Sequence, residues 1–438
     1  MFKLKSLAEY QKMWLLAYEA YKGIGGFANG AYLDKYTRES DDKYENRQKV
    51  AYYTNLVAPN LNRYVGYIFK NPPTRVVNNK LLTTFIDDCD NASNSLDVFM
   101  SNTALEVKIR GVGLVLVDMP ETLTSTTLEE QLNNREIPYL KFIPPENVVD
   151  FKLDKFGKFE FISFYDTMTD PDDLTQEIQV VRYFDKIGWK VTDLADNVIK
   201  QGEHALQKCP IVLISETGDF LDTGEFTQVA QLAKRHYNLN SELDELLRGQ
   251  TFSILTIQTD IAPDSEAEIN IGTDNALFYG QGLDRPDFIA PSADPATTYM
   301  NKIKEIEKTI DRIMYNINTN EARESGISLQ MKFQGLNSSL SKFASRLEDA
   351  ERRIFEIACD WLGIPYDYDI VYNKEFDITD ITKELSVLEG IRELGYDIPT
   401  YEKLKMQKII ANDLGSLDPE TAAQIFAEIE DNIKNKVL

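Results

Sequence analysis

The amino-acid sequence predicts an α+β protein that is mainly helical and carries one β-rich module. In several long segments apolar residues recur at spacings of three or four, which is the period of an amphipathic helix. Between about residue 112 and residue 215, short apolar runs are instead separated by Gly, Pro and Asp, as is typical of strands and turns. A chain of 438 residues is also long enough for two or three domains.

Two helical regions are expected in the first 75 residues, one near 6–22 and one from about Asp42. In the second region five residues share one face: Tyr53, Val57, Leu61, Tyr64 and Ile68. Pro59 is expected to divide or kink this helix. The pair Pro72 and Pro73 must end it near Phe69, because proline disfavours helical dihedrals in the preceding residue and donates no N–H. The chain is expected to leave this stop in an extended conformation.

A further helix over about 94–110 leads into the apolar strand VGLVLVD, which opens the β-rich module. After that module, three long helices are predicted from apolar residues that alternate at spacings of three and four. The first covers 225–248, the second contains Tyr299 to Ile317, and the third contains Leu340 to Trp361. Short strands and turns are expected over 252–289, and the tail from about 375 is expected to be helical and acidic. The spacing fits helices packed on their own core and helices packed between subunits, and both interpretations stay open.

The composition restricts the classes of function. The chain has 71 acidic against 47 basic residues and a formal charge of −24, which disfavours tight binding of nucleic acid through a broad basic face. The charge is compatible with a protein that surrounds DNA without holding it. The cysteines Cys89, Cys209 and Cys359 are too scattered for a zinc site or a disulfide framework. No apolar run reaches the roughly 20 residues of a membrane span, and a soluble, intracellularly made protein is expected.

No motif for chemistry stands out. His204 and His236 have no nucleophile motif beside them and are interpreted as structural. The glycine-rich segment that begins at Gly23 follows a helix rather than a strand, which argues against a dinucleotide site, and no P-loop occurs. The aspartates around Asp88 and Asp172 lack the spacing of a calcium loop. No catalytic residue, cofactor or metal is therefore expected.

Three features together resemble the portal proteins of tailed double-stranded DNA bacteriophages. The run RYVGYIFKNPPTRV resembles the place where a portal helix ends at a Pro-Pro signal, although Asn71 replaces a glycine there. The resemblance implies that this stop turns the chain into the β-rich module. The run SGISLQMKF, with Leu336 beyond it, resembles the segment that follows the second stem helix, although Ser328 stands where many relatives have alanine. The order helix, excursion, helix over 225–317 matches stem, clip and stem.

The resemblance implies a portal fold and a division of the chain into named parts. These are a wing over 1–224, a stem helix over 225–250, a clip over 251–290, a second stem helix over 291–318, a tunnel loop over 319–340, a wing helix and its connection over 341–374, and a crown over 375–438. It also implies a homo-oligomeric ring, usually of twelve copies, at the unique capsid vertex. Double-stranded DNA would pass through its channel during packaging and ejection.

The resemblance further implies partners and candidate contact residues. The partners would be terminase, the major capsid protein, scaffold, and head-completion, adaptor and tail proteins, in a virion assembled from subunits made in the host cytoplasm. The candidate DNA-channel residues are Arg323, Gln330, Lys332 and Asn337. The candidate clip residues that face terminase are Asp260, Asp264, Glu266, Glu268 and Asp274.

Two other classes remain open at this stage. One is a different phage head structural or connector protein, which would not need an excursion between two long helices. The other is an enzyme with an unrecognised carboxylate site, which would need a concave site with converging acidic side chains. The sequence contains no recognisable catalytic set, so a non-enzymatic role is expected.

Overall fold

The computed structural model describes residues 5–120, 125, 127–170, 173, 175–251, 254–256, 287–289, 294–315 and 326–376. Helices and antiparallel sheets both contribute to this part of the chain, which confirms the α+β class. The helices are α1 Lys5–Lys22, α2 Asp41–Val50, α3 Ala58–Ile68, α4 Lys80–Asp87, α5 Leu96–Arg110, α6 Leu128–Asn133, α7 Thr227–Thr251, α8 Asp294–Ile313 and α9 Gly326–Leu362. None of the described helices is long and apolar enough to cross a membrane.

The described strands form four separate antiparallel sheets. The strands are β1 Thr74–Val77, β2 Val112–Asp118, β3 Tyr139–Ile143, β4 Val148–Leu153, β5 Phe159–Thr169, β6 Glu177–Asp185, β7 Gly188–Thr192, β8 Val198–Glu203, β9 Ile211–Ser215, β10 Ile254–Thr256, β11 Asp287–Ile289 and β12 Tyr368–Val371. Strands β4 to β8 form one meander in chain order, and β2 lies between β3 and β9. The β-rich module predicted between residues 112 and 215 is thus confirmed, with the short helix α6 inside it.

The break predicted at Pro59 is present, but the helix is divided further upstream than expected. Residues 51–57 are not helical, so the prediction that Tyr53 and Val57 share the helical face with Leu61 is wrong. Pro59 instead occupies the second position of α3, where its missing N–H removes no helical hydrogen bond. Tyr53 contributes to the core from outside the helix, because its ring lies 4.2 Å from that of Phe27.

Helix α3 ends at Ile68, as the two prolines predict. The chain then enters β1, whose partner is β12 beyond the last described helix, with Thr74 opposite Val371. The prediction that this stop leads into the β-rich module is therefore wrong. Arg75 on β1 also makes long-range charge contacts with Glu351 on α9 and with Asp97 on α5. Such a contact leaves no local signal in the sequence.

Two hydrophobic clusters organise the body. The larger joins α3, α5, α7, α8 and α9. The smaller lies between α1, the sheet β3-β2-β9 and the five-stranded sheet. At its centre the Trp14 indole is fully buried and donates a 2.7 Å hydrogen bond to the carbonyl of Asp222. Strand β2 is buried along its whole length and contributes to both clusters.

Helices α7 and α8 pack against each other in opposite directions. His236 on α7 lies 3.2 Å from Glu307 on α8, and the Tyr299 hydroxyl bonds Glu242, so positions later in α7 meet positions earlier in α8. The regularly spaced apolar residues Ile303, Ile306 and Ile310 of α8 are buried within the chain itself. These three residues therefore pack on the protein's own core.

The far end of this helix pair leaves the body. Leu247 near the end of α7 is 44% exposed and Met300 near the start of α8 is 48% exposed. Beyond the helices β10 pairs antiparallel with β11, with Ile254 opposite Ile289. We call α7, α8 and the pair β10–β11 the arm. Its base lies in the core and its far end carries the two ends of residues 257–286.

Candidate functional site

A buried lysine marks the base of the arm. Lys108 on α5 is 2% exposed, and its ammonium lies 4.6 Å from the ring centres of Tyr64 and Phe226 and 4.8 Å from that of Phe343. It donates a 2.5 Å hydrogen bond to Glu216 and lies 3.3 Å from Glu225. A buried ammonium is tolerated only when carboxylates and ring faces replace its hydration.

Glu225, two residues before α7, connects the lysine to three other elements. Its Oε1 accepts a 2.5 Å hydrogen bond from the Tyr315 hydroxyl, which lies just after α8. Its Oε2 accepts a 2.9 Å hydrogen bond from Ser339 on α9. Its backbone N–H donates to Glu216 at 2.7 Å. We call Lys108, Glu216, Glu225, Tyr315 and Ser339 the base network, and it ties both ends of the arm to α5 and α9.

The electrostatics of the base network keep its lysine charged. Burial by itself lowers the pKa of Lys108, but Tyr64, Glu216 and Glu225 outweigh burial and raise the pKa above its ordinary value. Burial, together with the hydrogen bond to Glu225, raises the pKa of Tyr315 to about 12. Both groups are thus fully protonated at neutral pH, and the network presents fixed donors to its carboxylates.

The first part of α9 differs in charge from the rest of the chain. Residues 326–347 contain three basic residues and no acidic residue, in a chain with 71 acidic residues. Two of the three, Lys342 and Arg346, line an open pocket of about 530 Å³ beside the base network. Lys342 is exposed and Arg346 is half-buried. This pocket is the candidate binding site in the described part of the chain.

The structure corrects the loop predicted over 319–340. Residues 326–340 belong to α9, because Leu336 and Leu340 are buried in the larger cluster and give the segment an apolar helical face. Gln330, Lys332 and Asn337 are therefore helical residues, whereas Arg323 lies outside the described residues. Asn337 contributes to the fold, since its side-chain oxygen accepts a 3.0 Å hydrogen bond from the backbone of Phe376.

The remaining predicted sites have mixed outcomes. The candidate clip residues Asp260, Asp264, Glu266, Glu268 and Asp274 lie outside the described residues, as does the crown from residue 377 onward. His236 is buried in the α7–α8 seam beside Glu307 and Asn240, and His204 packs edge-on against Trp361 with its pKa lowered by burial. The Asp90 carboxylate accepts from the backbone of Ala92 and Asn94, so it closes its own loop.

Sequence reasoning missed both the base network and the pocket. Lys108 sits in the run EVKIR, where nothing local distinguishes a buried lysine from an exposed one, and its carboxylate partners lie more than a hundred positions away. The absence of acidic residues over 326–347 was available from the sequence. It could have directed attention to Lys342 and Arg346 rather than to Lys332 alone.

Comparisons with known proteins add little. No protein-family model and no curated protein matches the chain. Among solved structures, one similar chain comes from the virion of a native gene transfer agent (GTA) particle. The two chains are 12% identical with a TM-score of 0.39, and the similarity covers 82% of this chain and 89% of that chain. Likeness at this level transfers neither a fold nor a function from one protein to the other.

Proposed function

We propose that the chain is a structural protein of a tailed-phage head and, more specifically, its portal protein. The observation that carries the proposal is the arm. Two antiparallel helices leave a mixed body, end at the pair β10–β11, and return to the point from which they started. A stem that carries a clip requires this arrangement, whereas an enzyme or a generic capsid subunit does not.

The connection at the base of the arm supports the same role. The base network joins the start of α7, the end of α8 and the middle of α9 through charged hydrogen bonds. Such bonds are stronger than neutral ones and fix geometry. In a ring, a rigid base would let each subunit hold its stem at a constant angle to its wing.

The net charge supports a passage for DNA rather than a DNA-binding protein. A formal charge of −24 on every subunit gives a ring that repels phosphate. Screening at physiological salt extends over roughly 8–10 Å, so a duplex inside a narrow channel would still feel this repulsion. DNA would therefore slide without being held.

In this proposal the parts of the chain keep the roles that the resemblance implies. The wing lies at 1–224, the stem is formed by α7 and α8, the clip lies between them, and the crown follows residue 374. The subunit would assemble into a ring of about twelve copies at one vertex of the virion and meet terminase, capsid, scaffold and tail proteins there. Its role would be mechanical rather than catalytic.

Negative-stain electron microscopy of the purified chain, with mass measurement of the same sample, tests the proposal. We expect rings of about twelve copies with a central channel at least about 20 Å wide, enough for a duplex. If the chain is monomeric, the measurement is repeated after coexpression with the capsid and scaffold proteins of its phage. A monomer or a small channel-free oligomer under both conditions would refute the portal role.

A second assay separates a portal from another ring-shaped connector. Purified proheads that contain the chain are mixed with terminase, ATP and linear DNA, and nuclease-protected DNA is measured. A portal is required for filling, so proheads without the chain should protect no DNA. A connector that joins after packaging would leave filling unchanged when it is omitted.

A further inference from the structure

The pocket beside the base network has the donors of an anion site. Ser338, Lys342 and Arg346 follow one another at intervals of four along α9 and therefore lie along one stripe of the helix. Neither Lys342 nor Arg346 has a carboxylate partner among the described residues. Elsewhere in the described part, the buried arginines Arg47, Arg75 and Arg110 all bind carboxylates.

The two carboxylates in the pocket do not remove its attraction for anions. Glu216 accepts from the Lys108 ammonium and from the backbone N–H of Glu225. Glu225 accepts from the hydroxyls of Tyr315 and Ser339. Both carboxylates are thus already supplied with donors, and the pocket contains three cations against two carboxylates. The surplus positive charge lies on Lys342 and Arg346, at the open side.

The chemistry of these donors matches the oxygens of a tetrahedral phosphate. A guanidinium presents paired N–H groups that fit two oxygens of a phosphate, and an ammonium and a hydroxyl can reach the others. Two free cations also match the charge of free phosphate near pH 7, which lies roughly between −1 and −2. A volume of about 530 Å³ leaves room for a group esterified to the phosphate.

We propose that Ser338, Lys342 and Arg346 form a phosphate-binding site, with the base network as its rigid floor. The phosphate is either free or part of a nucleic-acid backbone, and both sources present the same oxygens to the same donors. The site goes beyond the portal role, because it lies within one chain and needs no ring.

The test uses the full-length chain and two matched double variants. K342Q/R346Q removes both pocket cations. K304Q/K308Q removes two exposed lysines four positions apart on α8, which do not line the pocket. Both variants lose two positive charges from a helix surface, so a general effect of charge appears equally in both. Sodium phosphate is titrated by calorimetry, and a labelled DNA duplex is titrated by fluorescence anisotropy at the same ionic strength.

We expect phosphate or the duplex to bind the unmodified chain. The same ligand should bind K342Q/R346Q at least about tenfold more weakly. The control variant should change affinity less than about twofold. Binding of phosphate identifies a free anion as the source, and binding of the duplex alone identifies a backbone diester. If K342Q/R346Q does not fold, Lys342→Gln is compared with Lys304→Gln. No binding of either ligand, equal affinity in K342Q/R346Q and the unmodified chain, or equal losses in both variants would overturn the proposal.

Discussion

The Tyr315 hydroxyl donates a 2.5 Å hydrogen bond to Glu225 and so joins the end of α8 to the start of α7. The arm therefore leaves and re-enters the body at one point. Any tilt of the arm relative to the body must strain this bond or the neighbouring contact between Glu225 and Ser339. The base of the arm is consequently the place where its orientation is set.

Removing the buried ammonium should destabilise the protein strongly. Lys108→Met keeps most of the side-chain volume but leaves Glu216 without its cation, and we expect a loss of about 3–5 kcal/mol in the free energy of unfolding. Denaturant titration measures this loss. Lys158→Met, at an exposed turn, is the control and should change stability by less than about 0.5 kcal/mol. A loss below about 1 kcal/mol for Lys108→Met would show that the base network contributes little to stability.

Removing the Tyr315 hydroxyl should weaken the protein in a pH-dependent way. Because the pKa of Tyr315 is raised to about 12, the folded state holds this proton more tightly than the unfolded state, whose tyrosines titrate near 10. The stabilisation is therefore complete below about pH 10 and is lost as the pH rises toward 12. We expect Tyr315→Phe to cost about 1.5 kcal/mol at pH 8 and less at pH 11.

The control for Tyr315→Phe is the same substitution at the exposed Tyr52. Other tyrosines that titrate in the alkaline range are common to both variants, so the difference between them isolates Tyr315. A cost for Tyr315→Phe that is the same at pH 8 and pH 11 would contradict the contact with Glu225.

An ion pair outside the arm should govern part of the acid sensitivity. The buried Arg47 guanidinium donates to both oxygens of Glu39 at 2.9 Å and lowers the pKa of that carboxyl. Stability from this pair is present above the unfolded pKa near 4.3 and is lost as the pH falls below it. Glu39→Gln should therefore cost about 3 kcal/mol at pH 7, since it leaves the buried Arg47 guanidinium without a carboxylate, and progressively less toward pH 3.

Unfolding of Glu39→Gln is measured by circular dichroism from pH 7 to pH 3. Glu203→Gln, at an exposed position on β8, serves as the control and should follow the unmodified chain throughout. A difference between Glu39→Gln and the unmodified chain that stays constant over this range would refute the assignment of acid sensitivity to Glu39.

Charge reversal near the start of α9 should affect DNA filling rather than assembly. Lys332 lies within the acid-free segment 326–347, so Lys332→Glu introduces a negative charge where the chain has none. In the proposed portal, we expect less nuclease-protected DNA per prohead and an unchanged number of proheads. Lys158→Glu on the exposed turn before β5 makes the same charge change away from α9. Normal filling with Lys332→Glu would count against a role of this segment in the channel.

The sequence predicted the elements whose signals are local. The long helices and the β-rich module were predicted correctly because each element buries residues at the repeat of its own secondary structure. On α8 these buried residues are Ile303, Ile306 and Ile310. The start of α9 was missed because the resemblance to portal proteins implied a tunnel loop over 319–340, a segment that contains Gly326 and Gly335. That helix is stabilised by burial of Leu336 and Leu340, and burial depends on distant partners.

The same limit applies to the candidate site. The pairing of β1 with β12 and the contacts of Lys108 join residues far apart in the chain, and one sequence carries no record of such contacts. The surface cations of α9 were readable from the sequence. The sequence did not show that these cations lie beside a pocket whose floor is built from α5 and the segment before α7.

The pairing of β10 with β11 has an evolutionary consequence. Because Ile254 lies opposite Ile289, the two ends of residues 257–286 are held side by side whatever lies between them. Insertions, deletions and replacements in that segment need not disturb the packing of α7 on α8. Related chains could therefore acquire new recognition properties in this segment while the residues that pack the body stay the same. Sequence divergence among relatives should concentrate in this segment.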